Sequence, residues 1–332
     1  MANLTQFGND LYTGKRSYDF VGKYRIWYTI AIILMTASVI IPLVNGFNFG
    51  IEFRGGSQFQ ITQGSHQEQQ PAIDAVQSVV PDQVAHVTSV GGSGLRVQTD
   101  KLTDDETNAV AQSLADAYDI PASEVTASFI GPSWGADITA QAIRALVVFL
   151  ALAVVMMAIY FRTWKMSIAA LLSLVNVLVV TAGVYAATGF EVTPGAIIGF
   201  LTILGFALYD TVVVFDKVRE NTGELGPESR QTFAEAVNLA VNQTLVRSIN
   251  TGVVAALPVA AILFIGSFVL GADTLRDISL ALLVGIILGT MSTIFIGAPI
   301  YAHLRESEPE IKKQTDRVLA LRAATAQPAS AK

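Results

Sequence analysis

The sequence of 332 residues contains no cysteine, which excludes disulfides, thiol nucleophiles, iron–sulfur clusters and Cys-based zinc sites. Histidine is scarce as well: His66, His86 and His303 stand too far apart in the chain to form a local metal-binding motif. No G-x-x-x-x-G-K-[ST] loop occurs, because Gly14-Lys15 lacks the upstream glycine, and neither H-E-x-x-H nor G-x-S-x-G is found. No cofactor, no metal and no enzymatic activity are therefore expected, and any energy the protein uses must come from elsewhere, such as a proton or ion gradient. Charge is thin too. Charged residues make up 14% of the chain against the roughly one quarter typical of soluble domains, and apolar ones 52%. With a mean hydropathy of +0.50, a purely aqueous fold is a poor fit.

What the sequence does have is long apolar runs. A hydrocarbon core about 30 Å thick needs roughly 20 such residues of helix, and six runs qualify: 26–45, 142–161, 166–188, 194–216, 248–270 and 278–301. The first follows a polar leader, 1–25, and resembles a signal peptide in place, but it is long for one and lacks a small-x-small cleavage site. An uncleaved anchor is expected. Lys and Arg gather in cytoplasmic loops. Of the 21 here, sixteen fall in the leader, the 2–3 loop, the 217–247 loop and the 302–332 tail, and five (Arg54, Arg96, Lys101, Arg144, Arg276) fall on the other side. Both termini are therefore expected in the cytoplasm.

The long outer segment 46–141 carries twelve acidic residues against three basic ones, yet it has periodic apolar positions and turn signals. Glu52-Phe53-Arg54 with Gln58–Ile61 predicts a strand, 69–80 an amphipathic helix, and 84–90 with 95–99 a hairpin around Gly91-Gly92-Ser93-Gly94. Thr103 with Glu106 forms a capping box for a helix to about Tyr118, and 125–130 is a last strand. The order β-α-β-β-α-β is the ferredoxin-like pattern. Its acidity fits a solvated surface or a basic partner. Trp134, before span two, reads as an interface anchor, and the Gly131-Pro132 step as room for a hinge.

Inside the membrane an ionisable residue is a functional hypothesis by default. Asp210 lies about five residues inside the near end of span four, unless that boundary is misplaced; Asp216 belongs to the interface. Arg247, at the entry of the antiparallel span five, is the candidate cation, with snorkelling to lipid as the alternative. Asn250 and Thr251 share its helical face and offer a hydrogen-bonded relay. Spans four and five thus carry the polar pair, while one to three and six read as packing and anchorage. Gly195-x-x-x-Gly199 and Gly285-x-x-x-Gly289 are GxxxG patterns for close helix approach, and Pro258 permits a kink, as a hinge or a static bend.

One span, an exported domain, then five clustered spans is the half-transporter plan of the resistance-nodulation-division superfamily. Within it, residues 15–305 resemble the SecF family of bacterial protein-export subunits, most specifically in the segment from Asp210 to Asn221, in Arg247-Ser-Ile-Asn-Thr251, and in Gly50-Ile51-Glu52-Phe53-Arg54-Gly55-Gly56 after span one. The resemblance implies proton-driven action through Asp210, Arg247 and Thr251. It also implies work with SecD at the SecYEG translocon on a translocating preprotein, within the lipid bilayer and without nucleic acid. Glu52 stands where the family usually has Asp, Tyr209 where Asn is common and Gly252 where Ser is frequent. A half-size proton-driven exporter of small molecules shares the same plan. An intramembrane aspartyl protease would need a second intramembrane Asp, whereas Asp273 and Asp277 are expected in the outer 5–6 loop.

Overall fold

The computed structural model describes residues 2–61, 68–90, 94–161, 163–226, 228–266 and 273–326. His66, the Gly91-Gly92-Ser93 turn, Arg162, residues 267–270 and Lys332 lie outside them. A short helix α1 (Ala2–Tyr12) leads into α2 (Tyr24–Asn45), the first of membrane length. Then come α3 (Ile51–Arg54), β1 (Gly56–Ile61), α4 (Gln70–Val79), β2 (His86–Val90), β3 (Gly94–Thr99), α5 (Asp104–Tyr118) and β4 (Val125–Ile130). The remaining long helices are α6 (Pro132–Phe161), α7 (Trp164–Thr188), α8 (Pro194–Gly223) and α9 (Phe233–Ala261), the last followed by a π turn, Ile262–Gly266. Next, α10 (Asp273–Ser292) passes through a second π turn, Thr293–Gly297, into α11 (Ala298–Glu306), and α12 (Pro309–Ala326) closes the described chain. Six of these helical stretches are long and apolar enough to cross a membrane.

The outer domain is a four-stranded antiparallel sheet in the order β2-β3-β1-β4. Alternation along β1 and β3 turns Phe59, Ile61, Leu95 and Val97 to one face, where α4 and α5 cover them with Val76, Val110 and Leu114. This is the ferredoxin-like arrangement. The expected capping box is present: the Thr103 Oγ1 accepts from the Glu106 N–H at 3.3 Å, and the Glu106 carboxylate accepts from the Thr103 N–H at 2.8 Å. One expectation fails. Residues 51–54 form the one-turn helix α3 instead of a strand, bracketed by Gly50 in extended backbone and Gly55 at φ 77°. Glu-Phe-Arg alternates like a strand, but Gly55 at positive φ turns the chain before β1, and α3 packs on α6, where a methyl at Gly135 would overlap the Phe53 carbonyl.

Three membrane helices form the interior. In their membrane stretches 56%, 50% and 44% of residues are buried for α7, α8 and the α10–α11 unit, against 6%, 11% and 11% for α2, α6 and α9. Glycine brings α8 and α10 together. A methyl at Gly199 would stand 2.6 Å from the Ala281 Cβ, one at Gly289 3.1 Å from the Ala207 Cβ, and one at Gly285 would overlap the Ile203 side chain. Both GxxxG patterns therefore serve the same helix pair, in which van der Waals contact replaces a hydrophobic drive that lipid cannot supply. The α6 helix begins at Pro132, ten residues before the expected start of span two, so Trp134, half-exposed, already sits on helix.

On the side of the termini the leader and tail are fastened to α9. The Asn238 Oδ1 accepts from the Phe20 and Val21 N–H groups at 2.8 and 3.2 Å, and the Asn242 Oδ1 accepts from the Tyr18 N–H at 2.7 Å. Arg322 of α12 donates twice to the Glu235 carboxylate at 2.7 Å, which also caps the start of α9 through Thr232.

Candidate functional site

The α8 helix is set by Thr193, whose Oγ1 accepts from the Ala196 N–H at 3.2 Å, followed by Pro194 at the first turn, where proline costs no hydrogen bond. The Thr193 hydroxyl also donates to the Asp277 Oδ2 at 2.9 Å, and the Tyr185 hydroxyl to the Asp277 backbone carbonyl at 3.0 Å. Asp277 thus belongs to the opening turns of α10 and joins α7, α8 and α10 at their outer ends; both Asp273 and Asp277 are on helix rather than in a loop. Seventeen residues along α8 from Thr193, about 25 Å of rise, lies Asp210. No aspartyl dyad can form across that distance.

Asp210 is 3% exposed and its Oδ2 has no hydrogen-bond partner. Two groups of α9 act on its carboxyl: Ser248, itself 1% exposed with a partnerless Oγ, and Arg247. Arg247 does not insert between the helices. It is exposed on the rim of α9 beside exposed Asn250, and the half-buried Thr251 donates its hydroxyl to the Arg247 carbonyl at 2.8 Å. Asp210 is therefore buried without an ion pair, and the inward-facing hydroxyl is that of Ser248, which sequence reasoning passed over. Tyr209 points outward, 55% exposed. Gly252 lets α9 approach α10, since a methyl there would lie 2.9 Å from the Thr290 Oγ1.

Beside Asp210, Thr211 of α8 shares a hydrogen bond of 2.9 Å with Thr293, at the start of the second π turn, and both are fully buried. Ser292 continues this layer: its hydroxyl accepts from the Ser173 Oγ at 3.0 Å and the Asn176 Nδ2 at 3.2 Å. A polar layer thus crosses α7, α8, α9 and α10 at the level of Asp210, and the second π turn begins within it. Spans three and six supply half of this layer, through Ser173, Asn176, Ser292 and Thr293. Chemically, a buried carboxyl with an open oxygen and adjoining hydroxyls can take a proton and pass it on.

The motif after span one lies at the opposite end of the helix bundle from Asp210. Gly55 (φ 77°) and Gly56 (φ 140°) turn the chain from α3 into β1, and a methyl at Gly56 would overlap the Thr99 carbonyl. Gly56→Ala is expected to destabilise the outer domain by about 1–3 kcal/mol, read as faster proteolysis of the domain in an otherwise intact membrane chain. The Glu52 Oε2 is buried and partnerless. Burial pushes its carboxyl up from the usual range, and the nearby Glu191 adds to this, while its own backbone N–H and Arg96 oppose it. Among the described residues no three His, Cys, Asp or Glu side chains converge as metal ligands. His86 lies in the outer sheet and His303 against the Tyr24 ring near the termini.

Six membrane helices with one ferredoxin-like domain after the first, enclosing a buried carboxylate in the fourth, define the class: half of a resistance-nodulation-division transporter. Comparison with known proteins narrows it. The family model for the C-terminal part of the protein export membrane proteins SecD/SecF matches residues 109–307, and the SecD/SecF GG motif matches residues 40–62. The chain is 43% identical over 326 residues to the protein translocase subunit SecF of Streptomyces coelicolor, covering 97% of this chain and 86% of that one. It is 38% identical over 323 residues to SecF of Mycobacterium tuberculosis H37Rv, covering 94% and 73%. The crystal structure of SecDF from Thermus thermophilus superposes with a TM-score of 0.75 at 27% identity, over 88% of this chain and 39% of that longer one. This chain belongs to the SecD/SecF family of protein-export membrane proteins.

Proposed function

We propose that the chain is a SecF-type subunit of a bacterial protein translocase, in which proton passage past Asp210 drives movement of the outer domain during late preprotein export. Its partners are SecD and the SecYEG translocon, and its place is the inner membrane with both termini in the cytoplasm, as the sixteen-to-five distribution of Lys and Arg supports. The carrying observation is Asp210, buried within a membrane helix with an open carboxyl oxygen against Ser248 and under the charge of Arg247. Segment 46–141 is the moving part in this reading.

A partner helix is supported by the rim. Ile249, Val253, Leu257, Ile287 and Met291 line a cleft of about 370 Å³ between α9 and α10, and exposed Arg247 stands two residues before Ile249 on α9. A SecD half seated there would enclose Arg247 with Asp210. Copurification from native membranes tests the assignment: SecD and translocon subunits are the expected companions. Efflux of small molecules by the isolated chain, with no such companions, overturns it in favour of the half-size exporter.

A further inference from the structure

Outside the membrane the structure holds a second polar cluster that proton passage at Asp210 does not use. Glu191, in the short connection between α7 and α8, accepts hydrogen bonds from the Arg96 Nη1 at 2.7 Å and the Gln98 Nε2 at 2.6 Å. Both donors project from β3 on the sheet face opposite α4 and α5, and the Gln98 Nε2 also reaches the Gln58 Oε1 of β1 at 3.1 Å. The Arg96 and Glu191 side chains are only 12% and 9% exposed, so water screens the pair weakly. The chain after α2 is stitched to the same connection: the Gly50 N–H donates to the Val192 carbonyl at 3.0 Å, and the Val192 N–H to the Asn48 carbonyl at 2.7 Å. The outer sheet is thus docked on the bundle at the α7–α8 connection.

Glu52 stands at this junction. A methyl at Gly50 would overlap the Glu52 Oε2 and come within 3.0 Å of the Glu191 Oε1, so two carboxylates converge on one spot that a single guanidinium serves. Of the other elements packed on α3, α6 offers only exposed Asp137 and Arg144, β1 carries no charged residue, and Arg54 on α3 itself is exposed. Ionising Glu52 therefore places a second negative charge beside Glu191, against which, among the described residues, stand Arg96 and the Glu52 backbone N–H.

We propose that Glu52 and Glu191 form a proton-sensitive latch on the outer side of the membrane, which holds the sheet on the α7–α8 connection while Glu52 is protonated and loosens when Glu52 ionises. The sign follows from the burial that pushes the Glu52 carboxyl up. A group raised above its ordinary value favours the docked form at low pH, and that contribution is lost as pH rises through the raised value. The latch is spatially separate from Asp210 and stands whether or not Asp210 conducts protons.

Because the chain has no cysteine, the test needs only two introduced ones, Thr126→Cys on exposed β4 and Ala187→Cys near the outer end of α7. Spin-label distances are measured on the full chain in lipid nanodiscs from about pH 5 to about pH 9, the span that buried carboxyls cover. A single short distance is expected at the acid end, with loss of most of that population at the alkaline end. Glu52→Gln should keep the short distance throughout, and Glu191→Gln should broaden it at every pH. A pH-independent distribution in the parent chain, or an unchanged pH response in Glu52→Gln, overturns the latch.

Discussion

Asp210→Asn should reduce gradient-stimulated export to its unstimulated level while leaving the membrane complex assembled. Asparagine keeps the size of the side chain and its capacity to hydrogen-bond, so the packing around a residue that is 3% exposed stays intact. The neighbouring bond between Thr211 and Thr293 involves neither carboxyl oxygen. What asparagine cannot do is bind and release a proton. Removing a positioned proton-transfer group costs about 10²–10⁴ in rate, so the gradient-dependent component should fall by about tenfold or more, to the limit of detection. Preprotein release from energised vesicles, with and without an uncoupler, reads this directly. Ser248→Ala should give a smaller loss of the same component, because it removes the hydroxyl facing the carboxyl without removing the carboxyl. Normal stimulated export in the Asp210→Asn variant removes the proposed mechanism.

The second large effect is on the fold. Gly285→Leu should prevent α8 and α10 from packing, because even a methyl at Gly285 would overlap three carbons of the Ile203 side chain. Ile203 is itself buried, 2% exposed, in the interior of the bundle. Overpacking a tight core costs about 1–3 kcal/mol, occasionally more, and a leucine in a glycine contact belongs at the upper end. The expected result is loss of most monodisperse protein after detergent extraction, measured by size exclusion and thermal aggregation. Gly285→Ala combined with Ile203→Ala should recover much of it. If Gly285→Leu alone extracts and melts like the parent, the helices are not held together at this contact.

The six spans and the ferredoxin-like order were legible in the sequence because each rests on a local signal. A run of 20 apolar residues, a capping box at Thr103 and Glu106, and alternation in β1 and β3 need no knowledge of the rest of the chain. Residues 51–54 were misread because their local alternation was outweighed by the positive φ of Gly55 and by contact with α6, more than eighty residues away. Hydropathy located the spans but could not sort them, since lipid tails and a helix interior are equally apolar. That α7, α8 and the α10–α11 unit lie inside while α2, α6 and α9 form the rim emerges only from packing.

At the intramembrane site the sequence pointed to Asp210 by its cost and to Arg247 by its position, and the structure separates the two into an interior and a rim residue. Ser248 was invisible because a serine in a helix is ordinary, and only the rotation of α9 about its axis turns it toward Asp210. The outer cluster was invisible for another reason. Arg96 and Glu191 lie 95 residues apart, on a strand face that alternation alone assigns to water.

The fastening of both chain ends to α9 reaches beyond the fold itself. Asn238 and Asn242 hold the leader, and Glu235 holds Arg322 of the tail, all within the first three turns of the helix that carries Arg247 and Ser248. A purification tag, fluorescent protein or surface tether fused at either terminus therefore pulls on the entry of α9. Reporters of motion are better placed in exposed positions of the outer domain, where they load none of these bonds.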